Sequence, residues 1–414
     1  MATKVLIACF NKNIAEELKA KISMLDQMPY FKLSSYQQTF VDFVLNGQGN
    51  GIVQAVAGSG KTTTIMQGMK YLKEKYADLA IKTSTTHSQG FYSIKNQPVF
   101  KGGKVDVGKV SKLVSPYFFG KGTEFDKIVV PKMNIPKGEV LSFKYEHLGL
   151  VNKLVSLAKN KGVGIKGVGE DLTPDTLNDL IEYYQILPFD LEVLDKIDVE
   201  WIVEKAIEVF TKSLTNQSVV DFDDMLYHPV FYNYPLETFD FIFVDECQDT
   251  NPLTQVMMKR SLKPTGRCIG VGDVAQAIYG FRGADAEAME KFKTSFNATE
   301  MPLSLCYRSG KNIIEKAKIL MPQIEALPNA PVGILENIGK VSQIDSEDFA
   351  LMFDSDSAII CRKNAPLIQM CFKLLIKGVI PQFLGRDDLE KDLIGNLNKK
   401  KQKNLNKPMK ISTY

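Results

Sequence analysis

The chain has 414 residues, enough for two or three domains at ~100–200 residues each. Hydrophobic residues make 44% and charged residues 24%, a mix that excludes disordered, collagen-like and disulfide-scaffold proteins. A net charge of +3 gives no overall sign of an electrostatic nucleic-acid binder, but it hides an uneven distribution. Lys95–Glu170 holds fourteen lysines against six acids, and Asp171–Asp240 holds sixteen acids against three lysines. This contrast reads either as two solvated faces of one segment or as a phosphate-contacting surface in its positive half. The six cysteines form no CxxC pair and the three histidines do not cluster, so free thiols in a reducing cytoplasm are expected. The first apolar run, Val5–Phe10, is too short for a signal peptide or a membrane span.

In chain order, Val5–Phe10, Gly51–Val56, Phe239–Val244 and Cys268–Val271 read as short strands. Their apolar residues are continuous rather than alternating, which suits strands covered on both faces of a parallel sheet. Ile14–Ile22 reads as a helix with an apolar stripe at Ile14, Ala15, Leu18 and Ile22. Strands alternating with helices give the fold class α/β. Residues 96–217 open with Gly-, Lys- and Pro-rich segments and then become helical. There Trp201, Ile202, Ala206, Val209 and Phe210 fall on one face, so the region reads as a mainly helical insertion. From about Met301 the pattern restarts, with a strand at Ser357–Cys361 and a helix at Pro366–Lys377. The last stretch, Lys399–Lys410, has six lysines and no acid and reads as a frayed tail.

Three segments carry chemistry. Ala55–Thr64, AVAGSGKTTT, follows a strand and precedes a helix, the context a phosphate-binding loop needs. Gly58 and Gly60 allow the backbone of Ala57–Thr63, Ser59 included, to close around phosphates with its N–H groups inward. Lys61 supplies positive charge to the β- and γ-phosphates of ATP, and Thr62 offers a hydroxyl to Mg²⁺. Phe241–Asp249, FIFVDECQD, ends an apolar strand in two adjacent carboxylates at the edge where α/β sheets bind ligands. Asp245 is placed to hold Mg²⁺, directly or through water, and Glu246 to orient and deprotonate an attacking water. In Cys268–Asp285, CIGVGDVAQAIYGFRGAD, Gln276 is placed to sense the γ-phosphate. Tyr279, Phe281 and Arg282 suit base stacking with a phosphate contact, although core packing is the commoner role for such aromatics.

Together these segments resemble the UvrD/Rep/PcrA-like superfamily 1 DNA helicases, over about Leu33–Arg386. LSSYQQ, Leu33–Gln38, is similar to the family's Q-motif, which implies that Gln37 reads adenine. TTHSQGF, Thr85–Phe91, resembles the family's TFHSLG segment and implies single-stranded DNA contacts from Thr86, His87 and Ser88. DFDDML, Asp221–Leu226, matches a recurrent segment before the DExQD strand. CYRSG, Cys306–Gly310, resembles the NYRS motif. It implies that Tyr307 stacks on adenine and Arg308 reaches the γ-phosphate. AIICRKNAPL, Ala358–Leu367, resembles a strand whose Arg362 and Asn364 touch DNA.

The resemblance implies a RecA-like P-loop NTPase domain at 1–95 plus 218–300, interrupted by the insertion at 96–217. A partial second RecA-like domain at 301–398 and the Lys-rich tail at 399–414 would follow. The implied activity is ATP hydrolysis coupled to movement along, or unwinding of, DNA. The partner is single-stranded DNA or a DNA junction, in the cytoplasm. Two departures stand out. VLIACFNKNIAEEL, similar to a family segment that follows the P-loop helix, lies here at the N-terminus. A rearrangement that keeps Val5–Phe10 in its usual sheet position is expected. The family's late T-x-H-x-x-K-G-L-E and Y-V-A-x-T-R motifs have no counterpart. The alternative reading is therefore an ATP- and DNA-binding module that a second polypeptide completes.

Overall fold

A computed structural model describes residues 2–9, 11–277, 287–336, 354, 356–361, 364–376, 378–384 and 408–413. Two compact units divide the chain after Ile334.

The first unit is built on a six-stranded sheet. Its strands are β1 (Lys4–Cys9), β2 (Gly51–Ala55), β3 (Ala80–Thr85), β4 (Phe239–Asp245), β5 (Leu262–Gly272) and β6 (Thr299–Leu303). Their order is β3-β1-β4-β5-β2-β6, and every pairing is parallel. The N-terminal strand is interior: Val5 lies opposite Ile81 on one side and Phe241 on the other. That is the position the rearranged order requires. The continuous apolar runs are explained by burial on both faces. Val5, Ile7, Phe243 and Ile269 face one layer, and Leu6, Ala8, Ile242 and Cys268 face the opposite one.

The first layer comprises α1 (Lys12–Ser23), α2 (Ser35–Asn46) and α3 (Lys61–Lys75), which contribute Leu18, Phe40 and Met69 to its core. Helix α4 (Thr86–Lys95) follows β3 directly. A helical region comes next: α5 (Lys109–Val114), α6 (Glu124–Lys132), α7 (Val140–Asn160), α8 (Pro174–Tyr184), α9 (Leu191–Leu194) and α10 (Val199–Thr215). It has its own core, in which Trp201, Ile202, Ala206, Val209 and Phe210 are all buried. Helices α11 (Phe222–Phe231) and α12 (Pro252–Arg260) join that core to the sheet through Tyr227, Leu253 and Met257. The second layer of the sheet is completed by Met258 of α12 and by Met289 and Phe292 of α13 (Ala288–Phe296).

Strand lengths differ from the sequence expectation. β5 starts six residues before Cys268 and carries an irregular register near Phe239. β3 and β6 are edge strands that the apolar-run criterion passes over. β6 contains Pro302, which an edge tolerates and a central strand does not. β6 also spans the expected boundary at residue 300, and the first unit continues to Ile334.

In the second unit, β7 (Ala358–Cys361), α14 (Asn364–Ile376) and β8 (Ile380–Leu384) form a strand–helix–strand unit, with Leu367, Cys371 and Leu374 at its core. Pro408–Thr413 forms β9, which pairs in parallel with both β7 and β8. The frayed tail expected at Lys399–Lys410 is corrected at its end, where Pro408, Met409 and Lys410 belong to this strand. Backbone pairing to two neighbours outweighs the local lysine content there.

Candidate nucleotide site and nucleic-acid contact segment

Because the sheet is wholly parallel, the C-terminal ends of its strands share one edge, and the expected site residues gather there. β2 leads into the loop Val56–Gly60, in which Gly58 and Gly60 take φ of +72° and +77°. Only glycine adopts that region without strain. Gly58 is also crowded. A Cβ there would sit 2.8 Å from Arg308 Cβ and 3.0 Å from Cys306 Sγ. The backbone N–H of Tyr307 donates to Gly58 O at 2.9 Å. The segment after β6 is therefore fastened to the phosphate loop. α3 starts at Lys61, so its free N–H groups and the positive end of its dipole face the loop. Ala57 and Thr63 are exposed, whereas Ser59 is fully buried.

Lys61 Nζ lies 2.6 Å from Glu246 Oε2, and Gln248 Nε2 donates to the same oxygen at 2.8 Å. Gln248 Oε1 accepts the Asp273 N–H at 3.0 Å, and the Asp273 carboxylate accepts from Gln276 Nε2 at 2.6 Å. One chain of hydrogen bonds thus runs from Lys61 to Gln276. Glu246 takes a left-handed φ of +54°, a conformation that costs a non-glycine residue energy and recurs at active sites. Asp245 accepts from Thr62 Oγ1 at 3.3 Å and from the Glu246 N–H at 3.1 Å. Burial, aided by the Glu246 charge, pushes the Asp245 carboxyl up to about 6 against the pull of Lys61. Burial likewise raises Asp273.

Thr62 and Asp245 suit Mg²⁺, which takes few protein oxygens and completes its shell with phosphates and water. Among the described residues no group of three or more His, Cys, Asp or Glu could hold a metal by itself.

Gln37 sits in a capping box with Ser34 at the start of α2. Its Oε1 accepts from the Ser34 N–H at 3.1 Å and from Tyr307 OH at 3.2 Å, and its Nε2 donates to Thr64 Oγ1 at 3.3 Å. The carboxamide is oriented from three sides. Tyr307 and Arg308 are both exposed beside the loop.

At the edge of the sheet, Thr85 caps α4 by accepting the Ser88 N–H at 3.1 Å. Ser88 is exposed and Thr86 is buried. The His87 ring meets Phe222 edge-on at 6.3 Å, and burial pushes its imidazole down to about 4. Tyr279, Phe281, Arg282 and Arg362 lie outside the described residues. Asn364 opens α14 in the second unit, and its side chain also lies outside them.

Three participants were not singled out by sequence reasoning: Gln248, Asp273 and Thr64. Gln248 stands two residues after Glu246 inside a motif already recognised, so its spacing was a usable signal. Thr64 carries none, because its partner Gln37 is 27 residues away.

A glycine-bent loop before a helix, a strand-end carboxylate pair and a sensing glutamine at one parallel-sheet edge define a P-loop nucleotide-binding domain. The chain belongs to the UvrD/REP helicase N-terminal domain family, whose match spans residues 80–297. A DNA helicase II of Haemophilus influenzae is 35% identical over 143 residues, 32% of this chain and 19% of that protein. An ATP-dependent DNA helicase Rep of Buchnera aphidicola is 23% identical over 402 residues, 88% of this chain and 57% of that protein. The ATP-dependent DNA helicase srs2 of Schizosaccharomyces pombe is 24% identical over 300 residues, 67% of this chain and 33% of that protein. The chain therefore spans well under two thirds of the length of these relatives. No described helix is long and apolar enough to cross a membrane.

Proposed function

We propose that the chain is an ATP-hydrolysing motor polypeptide that moves along or unwinds DNA, acting on single-stranded DNA or a junction. The observation that carries this reading is the hydrogen-bonded series Lys61–Glu246–Gln248–Asp273–Gln276 beside the phosphate loop. Lys61 binds the β- and γ-phosphates, and an arriving phosphate competes for the ammonium that Glu246 now holds. The released Glu246 carboxylate orients the attacking water and takes its proton. Gln276, linked to Glu246 through Gln248 and Asp273, reports the γ-phosphate to that base. Thr62 and Asp245 would hold Mg²⁺, which would supply charge to neutralise the developing phosphate oxygens. Gln37 and Tyr307 take the adenine, and Arg308 the γ-phosphate. Thr86, His87 and Ser88 contact single-stranded DNA, Tyr279 and Phe281 stack on its bases with Arg282 at a phosphate, and Arg362 and Asn364 of the second unit touch DNA in their own right.

In this reading residues 1–95 and 218–300 form the first motor domain, 96–217 its insertion and 301–398 part of a second motor domain. Steady-state ATP hydrolysis with and without single-stranded DNA, beside Glu246→Gln, tests it. DNA-stimulated turnover that Glu246→Gln abolishes supports the motor. Binding of both ligands without turnover supports the module completed by a second polypeptide.

A further inference from the structure

The nucleotide site leaves unused a second set of deeply buried charged side chains. Asp224 of α11 is fully buried. It accepts from Lys109 Nζ of α5 at 2.7 Å and from Lys159 Nζ of α7 at 2.7 Å. Lys159 also lies 3.3 Å from Asp221, which caps α11 and shares a capping box with Asp224. His228 Nε2 is 3.3 Å from Asp224. Two lysines of the helical region thus meet two aspartates of α11 out of contact with water. The next residue of α7 extends the joint. Asn160 Nδ2 donates to Asp223 at 2.8 Å, and Asn160 Oδ1 accepts from Asn251 Nδ2 at 2.7 Å. Asn251 caps α12 and lies two residues beyond the DECQD segment.

α11 also supports the other ligand segment. It packs on α4 so closely that a Cβ on Gly90 would fall 1.7 Å from Met225 O, and its Phe222 meets the His87 ring. A single point at the end of α7 therefore touches the support of the DNA segment through Asp223 and Asp224. Through Asn251 it touches the cap of α12, which follows the strand-end carboxylate segment.

We propose that Asn160, held in place by the Lys159–Asp224 pair, is a positioning residue that couples nucleotide occupancy to DNA affinity. The inference rests on the functional reading above. It adds that the helical region is the tie between the two ligand segments, rather than only a DNA-contacting surface. Asn160 bonds at once to the support of one ligand segment and to the cap of α12 that follows the other, and any coupling it carries is reciprocal.

The test uses the full chain and a fluorescent single-stranded oligonucleotide, with and without a non-hydrolysable ATP analogue. The wild type is expected to show a ratio of the two oligonucleotide Kd values of about tenfold. Asn160→Ala is expected to bring that ratio close to one while each single-ligand Kd stays within about twofold. Asn160→Asp keeps the acceptor for Asn251 and repels Asp223, and it is expected to reduce the ratio in part without loss of folding. Asn152→Ala removes a bond to Ser111 inside the helical region and serves as the control that leaves the ratio alone. A wild-type ratio near one, or a ratio that Asn160→Ala leaves intact, overturns the proposal. A wild type that binds neither ligand overturns the functional reading itself, which distinguishes the two failures.

Discussion

Two lysine–carboxylate pairs of nearly equal length hold different parts of this molecule. Lys61–Glu246, at 2.6 Å, has side chains 11% and 24% exposed. Lys159–Asp224, at 2.7 Å, has both at 0%. Glu246 has Lys61 and Gln248 as side-chain partners, and on the proposed function a phosphate arriving at Lys61 frees it. Asp224 is hemmed in by Lys109, Lys159 and the backbone of Asp221. Burial opposes its ionisation, but His228, Lys159 and Lys109 together hold its carboxyl well below the usual range. On that reading the same chemistry serves as an exchangeable latch where water reaches it and as a fixed joint where water does not. Desolvation decides the difference, since an ion cut off from water cannot afford to lose its partner.

The largest expected effect falls on the latch. Glu246→Gln should lower ATP turnover by ~10²–10⁴-fold, the usual worth of a positioned general base, while nucleotide binding persists. A loss of affinity instead of turnover would show the pair to be a fixed joint as well. The joint itself is probed by Asp224→Ala, which leaves the buried Lys109 ammonium without its carboxylate and Lys159 with Asp221 alone at 3.3 Å. Denaturant unfolding should register a loss of about 3–5 kcal/mol. A loss below about 1 kcal/mol, the range of surface pairs, would erase the contrast. Gly90→Ala comes next. The added methyl must push α4 from Met225 of α11, and overpacking of this kind costs about 1–3 kcal/mol. Thermal unfolding measures the cost, and an unchanged midpoint would mean that α11 does not brace α4.

The contrast also explains what the sequence made legible. The phosphate loop and the DECQD segment are readable because their chemistry needs particular residue types at adjacent positions. The interior strands are readable because two covered faces demand unbroken apolar runs, as in Phe239–Val244. Edge strands escape for the converse reason: AIKTST and TEMPL bury less and obey no such demand. The joint was hidden by distance and by sign. Lys109 and Lys159 lie 115 and 65 residues from Asp224, and both had been counted in a positive surface. They turn inward to aspartates of the acidic stretch. Lys132–Asp198 and Lys205–Glu124, at 3.0 and 2.6 Å, cross between the same stretches. Three of the fourteen lysines of the positive stretch, Lys109, Lys132 and Lys159, are thus paired with carboxylates of the acidic one.

His87 offers the smallest and most discriminating prediction, because it is a polar group in a ligand segment that carries no charge at neutral pH. Burial lowers its pKa from 6.5 to about 4, so between those values the folded chain binds fewer protons than the unfolded one. Its contribution to stability is complete above pH 6.5 and is lost as pH falls through about 4. Asp245 acts in the opposite sense over part of this window. Its pKa of about 6 makes the folded chain bind more protons, so its contribution weakens as pH rises from 3.8 to 6. The measurement is therefore a difference: unfolding free energy against pH for the wild type and for His87→Gln. The two curves should converge as the pH falls from 6.5 towards 4. Salt supplies the matching check. A neutral ring releases no counterion, so His87→Gln should leave the slope of log Kd against log salt for single-stranded DNA unchanged at pH 7. A slope shallower by ~0.7 would mean an imidazolium paired with a phosphate. His87 would then belong with the exchangeable charges of the proposed nucleotide site, and the part-buried, neutral setting assigned to it would be wrong.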